Sequence, residues 1–250
     1  MRRKRIKLDL LIHDLKVPLA VIDAGITALI KKQEKYGPVT EKQEKVLMRA
    51  LRNTKVTQML VNDALELGRS REGIVNITNF TVSSLVEQAL VEIFDLVDAS
   101  VSEKIKSCSR LRALREALDE KGLTLLVDDK LWRQEFYMDS GKVIQILRNL
   151  LSNALKYRKS RVELEVDKND ECLVFSVKDD GEGIPATHHK KIFESYFQMS
   201  ATDSCTIRGH GLGLAGVMVL VEDMNGKLYL ESDEGMGAKF CVEVPLKNNK

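Results

Sequence analysis

One histidine near the start of the chain has neighbours that suit a nucleophile. His13 is followed directly by Asp14, and Pro18 lies five positions after the histidine. A carboxylate beside a helical histidine can accept one ring N–H and leave the other nitrogen basic and nucleophilic. A proline inside a helical pattern removes a backbone hydrogen bond and bends the helix. The cluster therefore indicates a reactive histidine at a bent helix, and a surface histidine without function is the open alternative.

A second group of polar residues shares one helix face, at positions i, i+4, i+7 and i+8: Asn149, Asn153, Lys156 and Tyr157. Amide oxygens are hard ligands that suit Mg²⁺, and a lysine suits phosphate. The apolar residues among them should anchor the opposite side of the helix: Leu147, Leu150, Leu151 and Leu155. The face predicts a magnesium and phosphate site, and a solvated polar face is the alternative.

Glycines follow in two further segments. Asp179 ends an apolar run, and Gly181 and Gly183 after it allow a tight turn. A buried Asp there can accept a hydrogen bond from an adenine amino group, although so short a pattern is often only a turn. The second segment, residues 209–213, carries glycines at alternate positions and leads into a helical pattern, so its N–H groups can bind phosphate. A last glycine pair, at 235 and 237, fits a hairpin turn.

The elements that must position these residues are of two kinds. Apolar residues recur at alternating steps of four and three over residues 8–29. The same steps continue over 47–65, where Thr54 and Gln58 take two of the positions, and a turn lies at 36–38. This pattern predicts an all-α hairpin of two long helices. Because a lone pair of amphipathic helices leaves apolar surface uncovered, we expect two hairpins to form a four-helix bundle in a homodimer.

The pattern changes after Gly73. We predict helices at 85–118, 141–157 and 214–224, and strands at 123–127, 136–138, 162–166, 173–177, 228–231 and 238–244. This order predicts an α+β sandwich, in which helices cover one face of a sheet. The chain should thus have two domains, a helical hairpin at 1–72 and an α+β domain at 73–250. A charged tract at 103–116 fits a solvated extension or a partner surface.

Composition narrows the functional classes. The 250 residues carry a net charge of only +2, whereas a nucleic-acid-binding domain is usually strongly basic on one face. The four cysteines show no C-x-x-C spacing, so neither a metal framework nor disulfides are expected. No stretch approaches the roughly 20 apolar residues that cross a bilayer, and no signal peptide is recognisable. We expect a cytoplasmic chain without membrane contact of its own, alone or as the cytoplasmic part of a larger sensor.

In order and spacing, these motifs resemble the H, N, G1, F and G2 boxes of sensor histidine kinases, over about residues 8–245. The resemblance implies a dimeric hairpin joined to an ATP-binding sandwich of the Bergerat (GHKL) type. It also implies autophosphorylation with ATP and Mg²⁺, followed by phosphoryl transfer to an Asp in the receiver domain of a response regulator.

The resemblance implies a role for each residue of the hairpin and of the N box. His13 is the phosphoacceptor, and Asp14 is the carboxylate that assists it. Asn149 is the Mg²⁺ ligand, Asn153 and Lys156 lie beside the phosphates, and Tyr157 lies near the base.

The glycine-rich boxes receive roles in the same way. Asp179 reads the adenine, and Gly181 and Gly183 shape its pocket. Residues 192–197 are the F box, and residues 198–208 form a mobile lid over ATP. Arg208 neutralises phosphate charge, and three glycines close on the phosphates: Gly209, Gly211 and Gly213.

Two departures and two alternatives accompany the resemblance. Val17 stands where the family usually has Thr or Asn, and the tract at 85–122 is longer than this segment usually is, with the charged insert at 103–116 inside it. The alternatives are an ATPase of the same nucleotide-binding fold and a dimerisation module with a degenerate site. The hydrolases of this fold place a Glu where Asn149 stands, because water attack needs a general base. An amide cannot take up that proton, so Asn149 favours a kinase.

Overall fold

The computed structural model describes residues 8–71, 76–194 and 213–246. The chain forms two compact units, Met1–Glu72 and Gly73–Lys250. His13 and Asp14, the predicted phosphoacceptor and its carboxylate, fall in the first unit, and the other predicted site residues fall in the second.

The first unit is built from two long helices that pack against each other. They are α1 (Leu8–Lys31) and α3 (Glu41–Arg71), and the short helix α2 (Gln33–Tyr36) lies between them. Gly37 follows α2 with a φ of 87°, a conformation that glycine adopts without a Cβ clash. The predicted pair of helices and the turn between them are therefore present.

The hairpin buries little of its own apolar surface. Among its described side chains, at residues 14–62, Thr54 alone is buried. The apolar residues that recur along α1 at steps of four and three form a seam with two rows. Leu19 and Ile26 are half-buried, whereas the other described residues of the seam are exposed: Leu15, Ile22 and Leu29. One row of the seam is thus available to a further surface, as expected for amphipathic helices that assemble.

The second unit contains two sheets. Five strands in the order β2-β4-β5-β7-β6 form the larger one: β2 (Leu123–Val127), β4 (Val162–Lys168), β5 (Cys172–Asp179), β6 (Lys227–Ser232) and β7 (Ala238–Pro245). β2 pairs with β4 in parallel, and the other neighbours are antiparallel. A separate antiparallel pair joins β1 (Thr78–Thr81) to β3 (Glu135–Met138).

Within its described residues, the second unit also contains six α-helices: α4 (Val82–Val97), α5 (Ala99–Ser107), α6 (Leu111–Asp119), α7 (Asp129–Trp132), α8 (Ser140–Tyr157) and α9 (Gly213–Asp223). Among them, α6, α8 and α9 contact strands of the larger sheet, and α4 packs on α8. Burial alternates along β4 and β7, so one face of each strand is buried and the other is half-exposed. This mixed sheet with helices packed against it agrees with the predicted α+β domain.

The predicted helix at 85–118 is wrong, because the structure breaks it into three helices. Asp98 is extended, with a φ of −155°, and its carboxylate accepts the N–H of Ser100 at 3.1 Å. It thereby ends α4 and caps α5, a role for which Asp is preferred. Arg110 is also extended and precedes α6.

The charged tract at 103–116 is not a solvated extension. Ile105 and Leu114 are each 1% exposed and belong to the main core. The guanidinium of Arg115 donates to the carbonyls of Leu125 and Val127, at 3.1 and 2.5 Å, on the edge strand β2. The tract therefore packs on the core and occupies carbonyl groups of an edge strand that would otherwise be free to pair.

Candidate functional site

The polar face of α8 lies at the border between core and solvent. Asp139 caps the helix by accepting the N–H of Lys142 at 3.2 Å. The apolar side anchors it as predicted, since Leu147, Leu150 and Leu151 are buried. On the polar side, the amides at 149 and 153 are half-buried and Tyr157 is 59% exposed.

Asn149 connects α8 to the beginning of α9. Its Nδ2 atom donates to the carbonyl oxygen of Gly213 at 3.4 Å. The amide nitrogen is engaged in this contact, so the amide oxygen is the atom suited to a hard cation. The structure thereby brings together one residue of the N box and the last glycine of the G2 segment, residues 209–213.

Lys156 and Tyr157 contact each other at the end of α8. The ammonium of Lys156 donates to the Tyr157 hydroxyl at 3.1 Å and lies 4.7 Å from the ring centroid. This is a cation–π geometry on a largely exposed ring. The structure pairs the two side chains, and their separate roles toward phosphate and base stay predictions.

Asp179 is a buried carboxylate at the end of β5. It is 7% exposed, and its Oδ1 atom accepts the N–H of Gly181 at 2.9 Å. Burial raises the pKa of its carboxyl above the ordinary range, and backbone hydrogen bonds from Gly181 and Ala238 offset part of this shift. An acceptor held in a buried position can discriminate by hydrogen bonding, because an unmatched partner would leave it unsatisfied.

The loop after Asp179 is packed against the β6–β7 hairpin turn. Gly183 has a φ of 74°, and a Cβ atom there would clash with the carbonyl oxygen of Asp233. Gly237 has a φ of 72°, and a Cβ atom there would clash with the carbonyl oxygen of Asp179. Ser232 links both sides, since its hydroxyl accepts the N–H of Ile184 at 2.8 Å and donates to the Gly237 carbonyl at 2.6 Å.

Sequence reasoning missed the part that this turn plays. It identified the glycines at 235 and 237 as a hairpin turn, which is present, but not their contact with the segment after Asp179. The glycine pair was a visible signal. The contact itself joins residues about fifty positions apart, so no local pattern reveals it.

Asp180 was also missed, and it fixes the segment that follows α8. Its carboxylate accepts the N–H groups of Lys159, Ser160 and Arg161 at 2.9, 3.0 and 3.0 Å, and also the Ser160 hydroxyl. The Ser160 hydroxyl and these N–H groups hold the pKa of Asp180 well below its usual range. Asp180 therefore ties the end of α8 to the end of β5, the two elements that carry Tyr157 and Asp179.

Several predicted site residues lie outside the described residues or side chains. The backbone of His13 lies within α1, and its side chain is outside the described part; Asp14 is exposed. Arg208, Gly209, Gly211 and the whole predicted lid lie outside the described residues. Of the F box, residues 192–194 are described: Ile192 is buried, and the Phe193 ring meets Phe240 edge-on at 6.4 Å between centroids.

A magnesium site can be tested only against the donors that the described residues offer. Within residues 8–71, 76–194 and 213–246, no group of three or more His, Cys, Asp or Glu side chains could hold a metal ion. Mg²⁺ often binds through one or two protein oxygens together with substrate phosphates, and Asn149 fits such a site.

Within the same described residues, no helix is both long and apolar enough to span a membrane.

Substitution of Asp179 should lower nucleotide affinity without lowering the stability of the fold. In Asp179→Asn we expect nucleotide affinity to fall about 10–150-fold, from the loss of a charge-assisted hydrogen bond of roughly 1.5–3 kcal/mol. The pKa of Asp179 is higher in the folded than in the unfolded protein, so between these two pKa values the folded state binds more protons. The stability of wild type therefore falls as pH rises from the unfolded pKa through the folded one. The variant escapes this cost and should be at least as stable as wild type at neutral pH.

Calorimetry with ADP and thermal unfolding test this prediction together. Wild-type affinity should fall as the pH drops below the raised pKa of Asp179, whereas the affinity of the variant should be flat there. Equal ADP affinity of the two proteins at neutral pH would contradict the assignment of Asp179 to the adenine.

Comparison with known proteins adds the family context. Residues 138–248 match the family model described as histidine kinase-, DNA gyrase B-, and HSP90-like ATPase, a match that begins just before α8. Relatives include the circadian input-output histidine kinase CikA of Synechococcus elongatus, 30% identical over 93% of this chain and 29% of that protein. The autoinducer 2 sensor kinase/phosphatase LuxQ of Vibrio cholerae is 29% identical over 94% of this chain and 25% of that protein. The chain thus spans less than a third of either relative.

Two solved structures share the fold. ShkA, solved at full length in complex with AMPPNP, aligns with 96% of this chain and 45% of that chain, at a TM-score of 0.63 and 24% identity. The histidine kinase AdeS of Acinetobacter baumannii aligns with 94% of this chain and 98% of that chain, at a TM-score of 0.54 and 18% identity. Both alignments include the helices of the first unit as well as the sheet of the second.

Proposed function

We propose, from the histidine-kinase type of ATPase domain that residues 138–248 form, that this chain is the catalytic core of a sensor histidine kinase. In this proposal it binds ATP and Mg²⁺ and phosphorylates His13. The phosphoryl group then passes to an Asp of a response-regulator receiver domain. Two relatives that match nearly the whole chain are named as a histidine kinase and as a sensor kinase/phosphatase, which supports the proposal.

The observation that carries the proposal is the chemistry of α8. The helix brings an amide, Asn149, to the start of α9, and none of its 18 residues is Asp or Glu. A hydrolase needs a general base for water at this face, and an amide cannot accept the proton. The helix can therefore help to hold a nucleotide and a cation but offers no base for hydrolysis.

The proposed reaction is an in-line transfer of the γ-phosphoryl group. Asp179 would orient the adenine, and Asn149 would hold Mg²⁺, which neutralises phosphate charge when bound. A ring nitrogen of His13 forms the new P–N bond while the bond from the γ-phosphorus to the ADP oxygen breaks. Asp14 would accept the remaining ring N–H and keep the attacking nitrogen basic.

The exposed row of the α1 seam supports a homodimer. A second hairpin would cover Leu15, Ile22 and Leu29 and give the bundle the core that a single hairpin lacks. The residues after His13 on the same face would then remain open to the receiver domain of the regulator.

Labelling with γ-labelled ATP and Mg²⁺ tests the proposed function. Phosphohistidine is a phosphoramidate, so the label on the protein should survive alkali and be lost in acid. Release of inorganic phosphate without a labelled protein would instead favour the ATPase alternative. Binding of ATP with neither outcome would favour the dimerisation module.

The residue at position 17 predicts whether the proposed kinase also dephosphorylates its response regulator. In the family that the sequence resembles, the side chain one turn beyond the phosphoacceptor takes part in dephosphorylating the regulator. Val17 is 53% exposed and shares a face with His13, but it has no donor or acceptor to orient a water molecule. We expect a kinase with little phosphatase activity.

Phosphatase activity is measured as the half-life of the phosphorylated regulator in the presence and in the absence of the protein. Wild type should change the half-life less than about twofold. Val17→Thr, which keeps the β-branched shape, should shorten it by about a hundredfold, the lower end of the range for one positioned proton-transfer group. Autophosphorylation of the two proteins should match. Strong acceleration by wild type would show that another side chain, such as Lys16, orients the water.

A further inference from the structure

A buried ion pair joins the far ends of α8 and α9. Lys142 is 1% exposed, and its ammonium contacts the carboxylate of Asp223, the last residue of α9. The Asp139 carboxylate lies 4.0 Å from the same ammonium. Taking a lysine out of water is costly even when it is paired, and a well-packed apolar pair is often at least as stable. Stability alone therefore does not account for a charge at this position.

On the side of α9, the buried residues that the structure describes are all apolar. The buried residues of α9 are Gly216, Val217, Leu220 and Val221. Apolar burial is non-directional, so small and branched side chains of this kind tolerate sliding of one helix along the other. A buried polar pair in an apolar interface can specify register, as it does in coiled coils.

Two polar contacts define that register, one at each end of α9. At its start, the carbonyl of Gly213 accepts from Asn149, and at its end Asp223 meets Lys142. On α8 these two contact points are seven residues apart, which places them on one face two turns apart. With both contacts made, α9 can neither slide nor rotate freely against α8.

The N-terminal end of α8 is itself fixed. One oxygen of Asp139 accepts the N–H of Lys142, and the other accepts the N–H of Asn76 at 2.9 Å. Asp139 is 5% exposed, and strand β3, which pairs with β1, ends directly before it. Lys142 thus projects from an anchored helix end, so its contact with Asp223 transmits the position of α8 to α9.

We propose that Lys142 is a positioning residue that sets the register of α9, and with it the place of Gly213 beside Asn149. The consequence for catalysis rests on the proposed function, because Gly213 ends the segment that would close on the phosphates. The adenine side of the site is held separately, by Asp179 and the β6–β7 turn. Loss of the Lys142–Asp223 pair should therefore impair phosphoryl transfer far more than adenine binding.

The test replaces the pair with apolar residues of similar size, in the double variant Lys142→Met/Asp223→Leu. Both members of the Lys142–Asp223 contact are removed together, so neither is left buried without the other, and the Asp139 carboxylate keeps its two backbone N–H donors. We expect ADP affinity within about threefold of wild type and a labelling rate at saturating ATP lower by at least about tenfold, since small misplacements of reacting groups can cost up to 10²-fold. Amide hydrogen exchange in the first turns of α9 should be faster.

Val166→Ala is the matched control. Val166 is 3% exposed on β4, so the variant should lose stability without touching the contacts of α9. Its labelling rate and α9 exchange, measured well below its unfolding temperature, should equal those of wild type. If loss of stability alone slowed labelling, the control would slow it as well, and that result would overturn the proposal.

The remaining outcomes are also decisive. A double variant with wild-type labelling and wild-type exchange in α9 would overturn the proposal. If wild type itself is never labelled, the proposed function fails, and the exchange comparison still decides whether Lys142 sets the register. Should the double variant not fold, Asp223→Asn is the substitute, because it keeps the side-chain size and removes one charge. It must show ADP affinity close to that of wild type together with a lower labelling rate.

Discussion

Replacing His13 with glutamine should reduce acid-labile labelling to background while ATP binding stays unchanged. Glutamine offers no basic ring nitrogen, so no P–N bond of the phosphoramidate type can form. It is a better helix former than histidine, so α1 should persist. His13 and the predicted nucleotide-binding residues also lie in different compact units of the chain, so the substitution should not disturb the ATP site.

His188→Gln is the matched control for this loss. The chain has four histidines, and His188 lies in the second unit, in a short turn before the F box. The control removes an imidazole from the protein without removing the proposed acceptor and should be labelled like wild type. Undiminished labelling of the His13 variant would mean that another residue accepts the phosphoryl group.

Much of the fold follows from local patterns in the sequence. The hairpin and the strands of the larger sheet were predictable because their apolar residues recur at steps of three and four or at alternate positions. The buried end of β5 was predictable in the same way, since a carboxylate at the end of an apolar run has to lie at the margin of the core. Asp179 is indeed 7% exposed.

The rest depends on contacts between distant segments. The break of the predicted long helix at Asp98 depends on a single capping residue inside a helical pattern. The β1–β3 sheet pairs two strands that lie more than fifty residues apart in the chain. Each strand has four residues, which is too short to show a periodic pattern. Lys142 and Asp223 are 81 positions apart, and a lysine in a helix is usually read as solvated, so no local signal predicts their burial.

The β6–β7 turn offers the sharpest test of how the nucleotide site is held. Gly235 and Gly237 both have positive φ values, 76° and 72°, so alanine at either carries a similar backbone cost of roughly 1–2 kcal/mol. They differ in surroundings. A Cβ atom at Gly235 would meet nothing within 4 Å, whereas one at Gly237 would clash with the carbonyl oxygen of Asp179.

Gly235→Ala should therefore lower the unfolding temperature and leave ADP affinity within about threefold of wild type, because only the local backbone cost applies. Gly237→Ala should lower the unfolding temperature and also weaken ADP binding by at least the roughly 10–150-fold expected for loss of the Asp179 hydrogen bond, because the clash displaces the residue that makes it. The loss should exceed that of Asp179→Asn, because the clash moves the backbone of β5 and the loop of Gly181 and Gly183 together with the carboxylate. Calorimetry with ADP, at a temperature where circular dichroism shows both variants folded, measures the difference. Equal affinities of the two alanine variants would mean that the turn supports the strands without positioning Asp179.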